Sequence, residues 1–119
     1  MLKVHTRKLG SVAVVCPQGR IVNGETASLR RAMDLQSNAN IVVLDLARVS
    51  AVDASGLGLM LELRKQTEAH GAHFMLMNAS TFVNHVLEVT HLDSVFEVTS
   101  GNEFRPALAG AVRCMPVAA

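Results

Sequence analysis

The chain has no tryptophan, no tyrosine and only four phenylalanines in 119 residues. Its core must therefore be aliphatic, built from Val, Leu, Ile, Met and Ala, and an aromatic platform for stacking nucleic-acid bases is excluded. It also lacks an excess of either charge: 11 lysines and arginines stand against 10 aspartates and glutamates. Electrostatic attraction to nucleic acid or to an anionic membrane is not expected from so even a balance. No apolar run is long enough to cross a membrane, and Met1-Leu2-Lys3-Val4-His5 has none of the marks of a signal peptide. The two cysteines, Cys16 and Cys114, lie far apart with no metal-type spacing, so free thiols in a reducing, cytoplasmic compartment are expected over a single internal disulfide.

What is present is a regular alternation of short apolar runs and helical patterns. Residues 2–9 alternate loosely, Gly10-Ser11 suits a two-residue hairpin turn, and Val12-Ala13-Val14-Val15-Cys16 reads as a second strand interrupted near Pro17. Gly19 to Gly24 forms the next break, and Glu25 opens a first helix that ends by Ser37-Asn38-Ala39-Asn40. Ile41-Val42-Val43-Leu44-Asp45-Leu46 has the continuous apolar character of a strand covered on both faces. A second helix runs to His70-Gly71, with Gly71 as a left-handed terminator. His73 to Met77 is a strand, and Ser80 caps a third helix carrying Phe82, Val83, Val86, Leu87 and Val89. Val95 to Val98 is a last strand and Asn102 to Gly110 a last helix.

The order is thus β-β-α-β-α-β-α-β-α. One α/β domain over residues 1–110 is expected, with about five strands in a mixed, mostly parallel sheet and helices mainly on one side. Residues 111–119 are expected to be a flexible tail.

The stretch Ala51-Val52-Asp53-Ala54-Ser55-Gly56-Leu57-Gly58-Leu59-Met60-Leu61 invites the closest reading. Asp53 suits an N-cap, which places Ser55 in the first helical turn among unpaired N–H groups and the positive end of the helix dipole. A phosphate added there would be stabilised locally. Gly56 and Gly58 either leave the hydroxyl uncrowded or allow close helix–sheet packing. At about 100° per residue, Leu57, Leu59, Met60, Leu61 and Leu63 cover an arc of roughly 200°, wider than a surface helix needs. Either this end lies deep in the core, or it offers an exposed apolar patch to a partner.

No catalytic constellation accompanies the serine. Asp53 and Leu57 stand where a nucleophile elbow requires glycine. None of the five histidines (His5, His70, His73, His85, His91) has a spacing that argues for a general base or a metal site. No Gly-x-Gly-x-x-Gly follows the first strand, and there is no Walker-type lysine. No enzyme activity and no cofactor are expected.

The element order, the Asp-x-Ser-Gly-Leu-Gly run after Val43-Leu44-Asp45-Leu46, and the distal Leu87-Glu88-Val89-Thr90-His91-Leu92 together resemble the STAS-domain family, in particular its free-standing anti-sigma-factor antagonists. That resemblance implies a switch operating by partner exchange. The unphosphorylated protein would bind an anti-sigma factor that is also a GHKL-type serine kinase, releasing a sigma factor. Phosphorylation of Ser55 would abolish binding, and a PP2C-type phosphatase would restore it. The resemblance assigns Asp53 and Gly56 to support of the phosphoacceptor, Asp53 by orienting the hydroxyl or a magnesium ion. It assigns Asn23, Gly24, Ala54, Leu57, Gly58, Met60 and Leu61 to partner contact. Neither nucleic acid nor membrane insertion is implied. The sequence departs from the family at Gly19-Arg20-Ile21-Val22, where Gly-Glu-Leu-Asp is common, and at Ala54, where Ser or Thr is common. A second reading is a constitutive STAS scaffold, or an accessory subunit of a signalling assembly or lipid-transport ATPase, with Ser55 no more than a helix-start residue.

Overall fold

The computed structural model describes residues 2–36 and 38–99. Six strands and three helices follow in the order β1 (Lys3–Leu9), β2 (Val12–Ile21), α1 (Ala27–Asp34), β3 (Ile41–Asp45), β4 (Arg48–Val52), α2 (Ala54–Ala69), β5 (His73–Met77), α3 (Thr81–Val89) and β6 (Glu97–Thr99). The sheet order is β1-β2-β3-β5-β6, with β4 paired to β2. Only β1 runs antiparallel to its neighbour, joined to β2 by the expected turn, in which Gly10 takes a φ of 62°. The other pairings are parallel.

Alternation along the central strands divides the side chains between two faces. Ala13, Val15, Val42, Leu44, Phe74 and Leu76 share one buried cluster with Leu29, Met33, Leu57, Leu59, Met60, Leu63, Val83 and Leu87 from the helices. The three described helices therefore pack on one face. Val14, Cys16, Val43, Met75 and Met77 form a second buried cluster on the opposite face. The doubly buried strand expected at β3 is thus present.

Several boundaries differ from expectation. Six strands replace five because Arg48–Val52 is a strand, where sequence patterning showed only the approach to a helix. Its hidden apolar positions, Val49 and Val52, are three apart because the β2–β4 register shifts between Gly19 and Arg20. Gly19 pairs with Val49 and Arg20 with Ala51, which leaves Ser50 as the extra residue of a bulge. The Ser50 hydroxyl donates to the Gly19 carbonyl oxygen at 3.3 Å. The second strand passes through Pro17 and continues to Ile21. A proline is tolerated there because the parallel pairing of β2 with β3 ends at Val15 and that with β4 begins at Gln18, so Pro17 falls between the two. The first helix starts at Ala27, two residues after Glu25.

Cys16 is disulfide-bonded rather than the free thiol expected. Phe82 and Val89 belong to α3 but stand 52% and 64% exposed, so Val83 and Leu87 carry its buried face. The helix expected over 102–110 and the tail over 111–119 also lie outside the described residues. Among the described residues, no helix is long and apolar enough to cross a membrane.

The Ser80 cap is as expected: its Oγ accepts from the Val83 N–H at 3.1 Å. Ser80→Ala should lower stability by about 1 kcal/mol, the usual value of such a cap. Thermal unfolding should show this as a melting point about 4 °C lower.

Candidate functional site at the start of helix α2

The site is built by the strand that sequence reading missed. Parallel pairing of β4 with β2 brings Val52 opposite Ile21, so the residues after both strands emerge side by side. Asp53 follows Val52 with extended backbone and caps α2. Its Oδ1 accepts from the Gly56 N–H at 2.8 Å, and its Oδ2 accepts from the Asn23 N–H at 3.1 Å. One carboxylate therefore closes the helix start and ties the two loops together. Its own N–H donates to the Ile21 carbonyl oxygen at 3.4 Å.

These bonds hold the Asp53 carboxyl below its ordinary value of 3.8. The Asn23 and Gly56 N–H groups are the largest causes, and desolvation opposes them. A depressed carboxyl contributes stability above its unfolded pKa, and that contribution is lost as pH falls through the folded value. Asp53→Asn leaves one acceptor oxygen where the carboxylate uses two. The melting-point gap between wild type and Asp53→Asn should therefore be widest above about pH 5 and close as pH falls below 3.8. Parallel thermal scans across that range measure it.

Gly56 is pressed onto the sheet: a Cβ added there would lie 2.0 Å from the Ile21 carbonyl oxygen and 3.0 Å from Val52 Cγ1. Gly58 has open space around it instead, so of the two glycines only Gly56 is required by packing.

Ser55 is exposed at the second position of α2, and its hydroxyl makes no hydrogen bond among the described residues. Ala54 and Gly58 are exposed beside it, as are Asn23 and Gly24 across the loop. Leu57 and Met60, assigned to partner contact by resemblance, are instead 8% and 0% exposed and belong to the core. The wide apolar arc thus reflects a deep helix start, since α2 packs on β4 and β5 from its first turn. Leu61 is half-buried against the same core.

At the segment that departs from the family pattern, Arg20 lies 3.3 Å from Glu25, with its own side chain 61% exposed. At the neighbouring strand ends, the buried Asp45 carboxylate accepts from Asn78 Nδ2 at 3.1 Å and from the Ala47 N–H at 3.0 Å. This tie between β3 and β5 is hidden in the sequence, where Asn78-Ala79-Ser80 reads only as a helix start. Among the described residues, no group of three or more His, Cys, Asp or Glu could hold a metal ion.

A family model for the STAS domain matches residues 3–111. The chain belongs to the STAS-domain family. It is 26% identical over 104 residues to the putative anti-sigma factor antagonist BtrV of Bordetella bronchiseptica, covering 86% of this chain and 90% of that one. An anti-sigma factor antagonist from Mycobacterium paratuberculosis superposes with a TM-score of 0.75 at 18% identity over 92% of both chains. The antagonist SpoIIAA in its unphosphorylated form gives 0.71 at 19% identity, over 93% of this chain and all of that one. SpoIIAA, described as a Bacillus cell-fate determinant, has also been solved in a phosphorylated form. The single STAS domain with a mixed, mostly parallel sheet is as the sequence led one to expect.

Proposed function

We propose that this chain is an anti-sigma-factor antagonist that works by partner switching, with Ser55 as its phosphoacceptor. The observation that carries the reading is the exposed, unengaged Ser55 hydroxyl on a helix start clamped by Asp53. The unphosphorylated chain binds a GHKL-type anti-sigma factor through the exposed surface formed by Asn23, Gly24, Ala54, Ser55 and Gly58, with Leu61 at its margin. That binding frees a sigma factor. The names of BtrV and SpoIIAA support this class of partner.

The bound kinase then transfers phosphate. Ser55 Oγ attacks the γ-phosphorus of the kinase's ATP, its proton passes to solvent, the bond to the β–γ bridging oxygen breaks, and ADP leaves. Asp53 keeps the hydroxyl in place through the cap it forms. The product carries up to about two negative charges beside an existing carboxylate, and the partner dissociates. A PP2C-type phosphatase resets the switch. The chain is substrate and ligand in this cycle, not catalyst, and it operates in the cytoplasm.

The direct test is incubation with the cognate kinase and ATP, followed by mass-spectrometric mapping. A single phosphate on Ser55 is expected, and its absence would overturn the proposal.

A further inference from the structure

The sheet has a second buried face that none of α1, α2 and α3 covers, since these pack on the other side. Val14, Cys16, Val43, Met75 and Met77 are 0% to 6% exposed there. Their apolar neighbours among the described residues are Leu9, Val12 and Ile41, all on strands of the same sheet. A bare face would leave these side chains open to water, so another part of the chain must lie over them. Outside the described residues, only 100–119 make a segment long enough.

That segment suits the task in composition and in reach. Phe104, Leu108, Val112 and Met115 recur at the rhythm of a single apolar helix stripe. Cys114 is the only other cysteine in the sequence, and Cys16, inside the buried face, is disulfide-bonded. Val15 pairs with Leu44, Asp45 with Met77 and Met77 with Thr99, which sets Cys16, Asp45, Met77 and Thr99 in one row across the sheet. Three strand spacings separate Cys16 from Thr99, or roughly 14 Å. The chain from Thr99 to Cys114 reaches roughly 22 Å even at the short rise of a helix. The link can close.

We propose that residues 100–119 are strapped over this face by a Cys16–Cys114 disulfide, and that reducing the bond uncovers the face. In a reducing compartment such a bond forms only under oxidising conditions, and so reports them. A dithiol reductant attacks one sulfur and the Cys16–Cys114 bond breaks. Two electrons and the reagent's two protons end on the cysteines as thiols, and the reagent becomes a cyclic disulfide. In the reverse step a small-molecule disulfide oxidises the pair and leaves as two thiols. The reduced Cys16 has an acceptor in place, since Asp45 Oδ2 lies 4.0 Å from its Sγ. The switch is independent of Ser55, which sits at the start of α2 on the other side of the sheet.

Two measurements on the full chain test it. Tryptic mapping of the protein oxidised with glutathione disulfide should join the peptide 9–20 to the peptide 114–119, and dithiothreitol should part them. Peroxide footprinting then reads the face itself, because exposed methionine is converted to its sulfoxide. Met75 and Met77 should oxidise at least fivefold faster in Cys114→Ser, and likewise in Cys16→Ala, than in the oxidised wild type. Met33 and Met60, buried on the helix side, should keep their rates. Absence of the joined peptide, or unchanged Met75 and Met77 in both variants, would overturn the proposal. Equal acceleration of all four methionines in both variants would overturn it too, since that marks loss of the fold rather than release of a strap.

Discussion

Ser55→Asp is expected to abolish binding of the cognate anti-sigma factor while leaving the fold intact. The fold should tolerate the change because the hydroxyl makes no hydrogen bond among the described residues and the position is exposed. A carboxylate in the first turn of α2 also meets the favourable end of the helix dipole. Binding should not tolerate it. The new charge stands two residues from the Asp53 carboxylate, which is already committed to the Gly56 and Asn23 N–H groups. Covering the site would then bury two like charges side by side. Penalties of about 2–5 kcal/mol are typical for charges left unpaired in an interface, or about 30-fold to several thousand-fold in affinity. Ser55→Ala should bind at least as tightly as wild type and remain bound in the presence of ATP. Calorimetric titration of the three proteins against the kinase measures all of this. Equal affinity for all three would instead favour the constitutive scaffold, in which Ser55 is only part of a helix start.

Periodicity and turn chemistry carried much of the architecture. Gly10 and Gly71 have the positive φ their turns required, and Ser80 and Asp53 cap the helices assigned to them. What periodicity could not show was β4. Its bulge at Ser50 breaks the two-residue alternation, so Val49 and Val52 fall out of phase with any strand template. That strand sets the distance between Asn23 and Asp53, so the geometry of the site was less legible than its residues. Burial at the helix start was equally ambiguous. A broad apolar arc describes a deep helix and a sticky one alike, and only the position of α2 against β4 and β5 assigns Leu57 and Met60 to the core. The Asp45–Asn78 bond joins positions 33 residues apart, a pairing no local pattern encodes.

Gly56 and Gly58 look alike in sequence and should respond to alanine with opposite signs. At Gly56 the added methyl would meet the Ile21 carbonyl oxygen at 2.0 Å, a contact with backbone that no rotamer can relieve. Relief requires α2 to lift off the β2–β4 pair, at the expense of the Asp53 N–H bond to that same oxygen. Overpacking of a rigid site costs about 3 kcal/mol or more, so Gly56→Ala should melt roughly 10 °C below wild type. Its Ser55 would also shift relative to Asn23, and affinity for the kinase should fall with it. At Gly58 a methyl meets nothing within 4 Å, and the residue lies inside a helix with ordinary φ. Alanine there removes the backbone entropy that glycine brings to a helix interior, a gain of up to about 1 kcal/mol. Gly58→Ala should therefore melt a few degrees higher, yet bind the partner less well if the open surface beside Ser55 is where the partner sits. Thermal unfolding separates the two glycines, and binding to the kinase separates packing from recognition. A Gly56→Ala protein as stable as wild type would contradict the close approach of α2 to β2 on which the site is built.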